Sequence, residues 1–208
     1  MKNLLYVLLF ISTYGFSQTT ENNPNEKKEI SVLFIGNSLT YYNNLPKLVK
    51  RAANQSKVKM FVEMVAYPNY AIIDHWNGGK VQRLISSKKF DFVIIQQGPS
   101  SRANGRKMLI DTGKKFKDLC MKNNSKLCYF MVWPSRHHFQ SFDNVIKNYS
   151  EAAKINDAIL LPVGKEWKEY FDDFNKFNYY GKDGFHPSLK GSKVTANIIA
   201  KNLLKHIR

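Results

Sequence analysis

Short apolar runs at residues 30–35, 58–66, 90–95, 126–133 and 158–163 alternate with stretches of helical character at 46–55, 79–87, 105–123 and 142–156. Runs of this length, bounded by polar and turn residues, read as strands buried on both faces. Strands separated by helices pair in parallel, because a parallel neighbour is reached only by a long crossover. The pattern predicts an α/β protein, a three-layer α/β/α sandwich around a five-stranded parallel sheet, closed by a last helix over 189–206. In such sheets ligands bind at the carboxyl ends of the strands, so residues just after each run are where chemistry is expected.

The 208-residue chain suffices for one domain with a sizeable core. Residues 1–17 read as an export signal: Lys2 precedes an apolar run over 4–11, and Gly15 and Ser17 supply the small residues a signal peptidase needs. That run is too short to span a bilayer comfortably, and an uncleaved amino-terminal anchor is the alternative reading. The polar stretch 18–29 reads as a flexible lead-in. This leaves 30–208 as the working domain, with a periplasmic or secreted location and no transmembrane segment expected in the mature protein.

With 32 Lys and Arg against 16 Asp and Glu, the chain carries a formal charge of +16, a field that attracts polyanions. The lysines are scattered, and no Arg-rich helix or aromatic-basic motif marks a specific nucleic-acid partner. A solvated basic surface is therefore expected. Cys120 falls in a helical stretch and Cys128 in a strand-like run, which favours two buried thiols over a disulfide. No Cys/His spacing suggests a zinc site, so no metal is expected.

Two segments carry chemistry. In Phe34-Ile35-Gly36-Asn37-Ser38-Leu39-Thr40, a serine follows a buried strand on a turn that leads into a helix. On its own this is also ordinary turn composition. Far downstream, Asp183-Gly184-Phe185-His186-Pro187 precedes the terminal helix. A serine hydroxyl becomes a useful nucleophile when a histidine, held in one tautomer by a carboxylate, takes its proton. Asp183 and His186 are spaced to share one loop in that arrangement.

Together the segments Gly36-Asn37-Ser38-Leu39 and Asp183-x-x-His186-Pro187 resemble the first and last blocks of the SGNH/GDSL hydrolase superfamily, in the family's order. The resemblance implies a flavodoxin-like sheet, catalysis by Ser38, His186 and Asp183, and no cofactor. It also implies an oxyanion hole from the Ser38 N–H, a second-block Gly N–H and a third-block Asn side chain. Here the second block is Tyr67-Pro68-Asn69-Tyr70, with Asn69 in the glycine's place. Asn tolerates left-handed backbone angles better than most residues. The third block is Gln96-Gln97-Gly98-Pro99-Ser100, similar to the Gln-Gly variant of carbohydrate acetylesterase branches, with Ser100 at the usual Asn position. By that resemblance Gln97 is the expected donor and Gln96 the reserve; the two side chains point to opposite faces of the strand.

Other residues fall near the same edge. Trp76 beside His75, and Trp133 after the fourth strand, are candidates to stack on a sugar or to form cleft wall. Arg136 is a candidate for binding an anionic substituent, whereas His137 and His138 read as solvated loop residues. The expected function is an exported serine esterase removing acetyl or other short acyl groups from a carbohydrate. A lipid or thioester acyl hydrolase is the second reading. A non-catalytic polyanion-binding protein on the same fold is the third.

Overall fold

The computed structural model describes residues 28–207. The segment read as an export signal, 1–17, and most of the 18–29 lead-in lie outside the described residues. The first strand, β1, takes in Glu29 and runs Glu29–Gly36, so it begins within the stretch read as lead-in. It is followed by α1 (Ser38–Tyr41), a 3-10 turn (Tyr42–Asn44), α2 (Leu45–Gln55) and β2 (Lys59–Ala66). Then come α3 (Ile72–Asn77), α4 (Lys80–Ser87), β3 (Phe92–Ile95), α5 (Ala103–Lys122) and β4 (Lys126–Phe130). A 3-10 turn (Arg136–Ser141), α6 (Phe142–Ile155), β5 (Ile159–Leu161), α7 (Val163–Phe174) and α8 (Leu189–Leu204) complete the chain.

All strand pairs are parallel, and the sheet order is β2-β1-β3-β4-β5. This is the flavodoxin-like order, in which the chain winds first one way from β1 and then the other. The crossover that leaves β1 runs to β2 on one side and the crossover that leaves β3 runs to β4 on the other, so a crevice opens at the carboxyl ends of β1 and β3. Helices α2 and α8 pack on each other, while α5 packs against α3, α4 and α6, so the sheet is covered on both faces. Full coverage explains why Val32, Leu33, Phe34 and Ile35 are all apolar with no exposed surface. Each such side chain contributes about 1.5–3 kcal/mol by leaving water.

Two differences from the sequence reading have local causes. The fourth strand ends at Phe130, although Met131, Val132 and Trp133 remain fully buried. Beyond Leu161 the neighbouring chain has Pro162, which has no N–H, and then enters α7, so no strand partner remains. Helix α7 was not anticipated, yet Val163, Trp167 and Phe171 recur every four residues and form its buried stripe. Cys120 and Cys128 are free and buried; burial pushes the Cys120 thiol up to about 12 and that of Cys128 well above its ordinary value. Neither is a reactive thiolate at neutral pH.

The start of α7 lies so close to the β4 extension that a Cβ on Gly164 would meet the Val132 carbonyl oxygen at 2.2 Å. Gly164→Ala must therefore shift backbone against backbone. It is expected to cost roughly 1–3 kcal/mol of unfolding free energy in a urea titration with an unchanged m-value. An unshifted midpoint would contradict this packing.

Candidate active site

β1 delivers Ser38 to the crevice. Asn37 caps α1 with its side chain, its Oδ1 accepting from the Leu39 N–H at 3.1 Å, while its backbone carbonyl accepts from Thr40 and Tyr41. Ser38 is the first residue of that helix, so its own N–H has no intrahelical partner. The turn is held from β3: Gln96 Oε1 accepts from the Asn37 N–H at 2.9 Å and the Thr40 hydroxyl at 2.7 Å. Gly36 is required there, because a Cβ would lie 2.3 Å from Thr40 Oγ1 and 2.4 Å from Gln96 Oε1. Buried His75 fixes the same turn through Nε2, 2.8 Å from the Gly36 carbonyl. Burial lowers its pKa, against the smaller raising effects of that carbonyl and of Asp74, so it serves as a neutral donor.

The loop before α8 brings the other two residues. His186 Nε2 lies 2.9 Å from Ser38 Oγ, and His186 Nδ1 lies 2.6 Å from Asp183 Oδ2. With its Nδ1–H donated to the carboxylate, the imidazole presents an unprotonated Nε2 to the serine hydroxyl. Asp183 Oδ1 also accepts the N–H groups of Phe185 and His186, both at 2.9 Å. Burial works to raise the Asp183 pKa, but these backbone donors and the His186 side chain outweigh it and hold the carboxyl below its usual range.

The fold matches those of several solved proteins. A protein from Slackia heliotrinireducens assigned as an SGNH hydrolase superposes with a TM-score of 0.72 at 21% identity, over 85% of this chain and 100% of that one. The fold is that of the SGNH hydrolases. A lipase/acylhydrolase from Enterococcus faecalis gives 0.67 at 15% identity, over 86% and 97% of the two chains. A mutant of a Geobacillus acetyl-xylooligosaccharide esterase gives 0.65 at 12% identity, over 86% and 96%. No family model matches the sequence, and no curated protein matches it.

Within this SGNH fold, several expected site residues do other work. Both amide hydrogens of Gln97 are committed, to Ser100 Oγ at 2.7 Å and the Gly105 carbonyl at 3.3 Å, which corrects its assignment as oxyanion donor. Gln96 is no substitute, because its Nε2 donates to the Gln97 carbonyl at 2.6 Å and its oxygen braces the Ser38 turn. Ser100 is buried and donates to the Gly98 carbonyl. Asn69 does adopt a left-handed backbone, φ 61°, and is exposed in the loop after β2. Its neighbour is tied to the site by the Asn37 Nδ2 bond to the Tyr70 carbonyl, 3.0 Å.

The tryptophans are not cleft platforms. Trp133 has no exposed surface; it stacks on Trp167 at 3.6 Å and donates its Nε1–H to the Phe185 carbonyl at 3.0 Å. Trp76 packs edge-on against Phe116 of α5. Arg136 lies over the Phe177 ring at 4.7 Å, and its backbone N–H donates to the Gly184 carbonyl at 2.7 Å, so it braces the acid-bearing loop from behind.

Sequence reasoning missed Tyr42 and Asn43. Tyr42 stacks on the His186 ring at 4.7 Å and 20°, and Asn43 Nδ2 donates to the Pro187 carbonyl at 3.0 Å and Ser192 Oγ at 2.9 Å. Asn43 and Asn44 both have left-handed backbones, φ 51° and 54°, which redirects the chain so that the nucleophile segment touches the histidine loop. The adjacent asparagines were a legible turn signal; the partner of Tyr42 was not, since it lies 144 residues away, at the other end of the chain.

Three outcomes follow. Gln96→Ala leaves the buried Asn37 N–H and Thr40 hydroxyl without an acceptor, and should cost about 1–3 kcal/mol in chemical denaturation. Gln97→Ala should show no selective loss of kcat. Asp183 has a depressed pKa, so its charge stabilises the folded state above the ordinary carboxylate range and ceases to do so as pH falls through its lowered value. The thermal midpoint of wild type should exceed that of Asp183→Asn at neutral pH, with the gap closing below about pH 4. A gap independent of pH would contradict an ionised Asp183.

Proposed function

We propose that this chain is a serine hydrolase of the SGNH type that cleaves ester bonds through an acyl-enzyme. The observation that carries the reading is the continuous relay from Asp183 Oδ2 through His186 to Ser38 Oγ, at 2.6 and 2.9 Å. His186 Nε2 takes the hydroxyl proton as Ser38 Oγ attacks the carbonyl carbon, and returns it to the departing alcohol oxygen. Water, deprotonated by the same nitrogen, then attacks the acyl-Ser38 and releases the acid. Asp183 orients the ring and stabilises the imidazolium that forms at each step. The Ser38 N–H, which has no acceptor among the described residues, is the proposed receptor for the oxyanion, with the Asn69 turn, tied to Asn37 through the Tyr70 carbonyl, as the proposed second donor.

A short acyl group on a carbohydrate is the proposed substrate class, and export to the periplasm or beyond is proposed from the reading of residues 1–17. One fold neighbour is described as an acetyl-xylooligosaccharide esterase, which supports the first point by analogy. The cavity walled by Phe185 carries Ser, Arg, His, Gln and Asn among its lining residues, which offers hydrogen-bond partners to a hydrophilic substrate.

A fluorophosphonate probe should label wild type at Ser38 and leave Ser38→Ala unlabelled. Ser38→Ala and His186→Ala should each lower kcat on a short-chain aryl ester by roughly ten-thousandfold or more, with unchanged thermal midpoints. Activity should survive a metal chelator. Absence of labelling in folded wild type would instead favour a binding protein that uses its positive field.

A further inference from the structure

A cavity of about 600 Å³ lies between the loops that follow β3 and β4 and meets the loop of Asp183 and His186 at Phe185. Phe185, one of its walls, lies between Asp183 and His186 in sequence, and its ring packs edge-on against the His186 ring at 5.3 Å. Pro99 and Arg102 come from the end of β3, and His138, Gln140 and Asn144 from the turn into α6. The volume suits one or two sugar rings. Amide and hydroxyl groups line it as they would for a polyol, while Pro99 and Phe185 offer apolar faces.

Its charge is one-sided. Among the described residues that line it are a guanidinium and an imidazole, and no carboxylate. Arg102 has no ion-pair partner among the described residues, although Arg106, one turn further along α5, is paired with Glu151 at 2.6 Å. His138 Nδ1 is held by Ser135 Oγ at 3.0 Å, which leaves Nε2 for a ligand. The nearest acidic residue in sequence, Asp143, is not part of the lining and lies 3.7 Å from Lys168. Arg102 caps the start of α5, whose first turn holds no acidic residue, so the helix dipole adds to the same sign.

On the reading above that Ser38 hydrolyses carbohydrate esters, we infer that this cavity binds the alcohol part of the substrate and selects a sugar bearing a carboxylate, with Arg102 as its receptor. A guanidinium fork matches a carboxylate in geometry and charge. The one permanent cation in the wall, Arg102, matches the single charge of a carboxylate. Phe185 places that sugar beside His186, the nitrogen that must hand a proton to the leaving oxygen. This gives the unpaired Arg102 a task that Arg136, committed to Phe177, does not perform.

The test compares kcat/KM on an O-acetylated oligogalacturonide with that on the same oligomer after methyl esterification, which removes the charge and keeps the skeleton. Wild type should prefer the acidic form by about tenfold at low ionic strength, the value of one charge-assisted hydrogen bond at an exposed site, and salt should erode the preference. Arg102→Gln should bring the ratio to near one, whatever it does to either rate. A wild-type ratio near one overturns the inference. So does a preference that persists in Arg102→Gln, because the bulk of the methyl group would then explain it. Titration calorimetry of Ser38→Ala with both oligomers reads the cavity without turnover, and tighter binding of the acidic form is expected. Continued hydrolysis by Ser38→Ala would overturn the catalytic reading while leaving that binding comparison intact.

Discussion

One buried oxygen joins the two strands between which the crevice opens. Gln96 Oε1 accepts from the backbone of Asn37 and the hydroxyl of Thr40, so the end of β3 fixes the turn at the end of β1. The bond sits at the switch point of the β2-β1-β3-β4-β5 order, where the loops diverge and a side chain between them can face open space. Gly36 leaves room for that oxygen, and His75 occupies the adjacent carbonyl from α3. The backbone N–H groups of Asn37, Leu39, Thr40 and Tyr41 are thereby assigned, whereas that of Ser38 has no acceptor among the described residues. The turn is rigid for structural reasons, and its one open N–H is where a developing negative charge would be received.

The loop with Asp183 and His186 has no regular structure, so its geometry comes from what surrounds it. The buried Trp133–Trp167 stack supplies the indole donor that holds the Phe185 carbonyl. Arg136 holds Gly184 through its backbone, and Asn43 holds Pro187 from the nucleophile side. Asp183 is fixed by two backbone N–H groups before it meets the imidazole, which leaves one oxygen free to orient the ring. Tyr42 then confines His186 from its face. The buried Trp133 indole thus helps to position a polar relay from the core side, while exposed Asn43 and the Arg136 backbone hold it from the surface.

The basic character of the chain acquires a local meaning at the cavity beside Phe185. Most lysines are solvated or paired along helices, as in Lys114 with Asp118 and Lys168 with Asp172, and such pairs contribute little. Arg102 faces a concave space that it shares with an imidazole and with no compensating acid among the described lining residues. Concavity matters physically: a charge in a cleft is less screened than one on an open surface.

The sequence by itself determined the α/β class, the parallel sheet and the two segments that bear Ser38, Asp183 and His186. These are set by local physics: apolar runs of strand length, crossovers of helix length, and turn chemistry at strand ends. Boundaries came within a few residues, except where burial and pairing parted company, as at Met131 to Trp133, which are buried without a partner strand. Tertiary structure alone decided what each polar side chain at the edge does. Gln96 and Gln97 are adjacent and chemically identical, yet one braces the nucleophile turn and the other ties β3 to Ser100 and α5, because alternate strand residues face different neighbours. Trp133 looked like a platform and is a buried strut, while the exposed Tyr42 covers the histidine. Such roles depend on contacts between residues more than a hundred positions apart, as with Asn43 and Pro187, and no local pattern encodes which partner arrives.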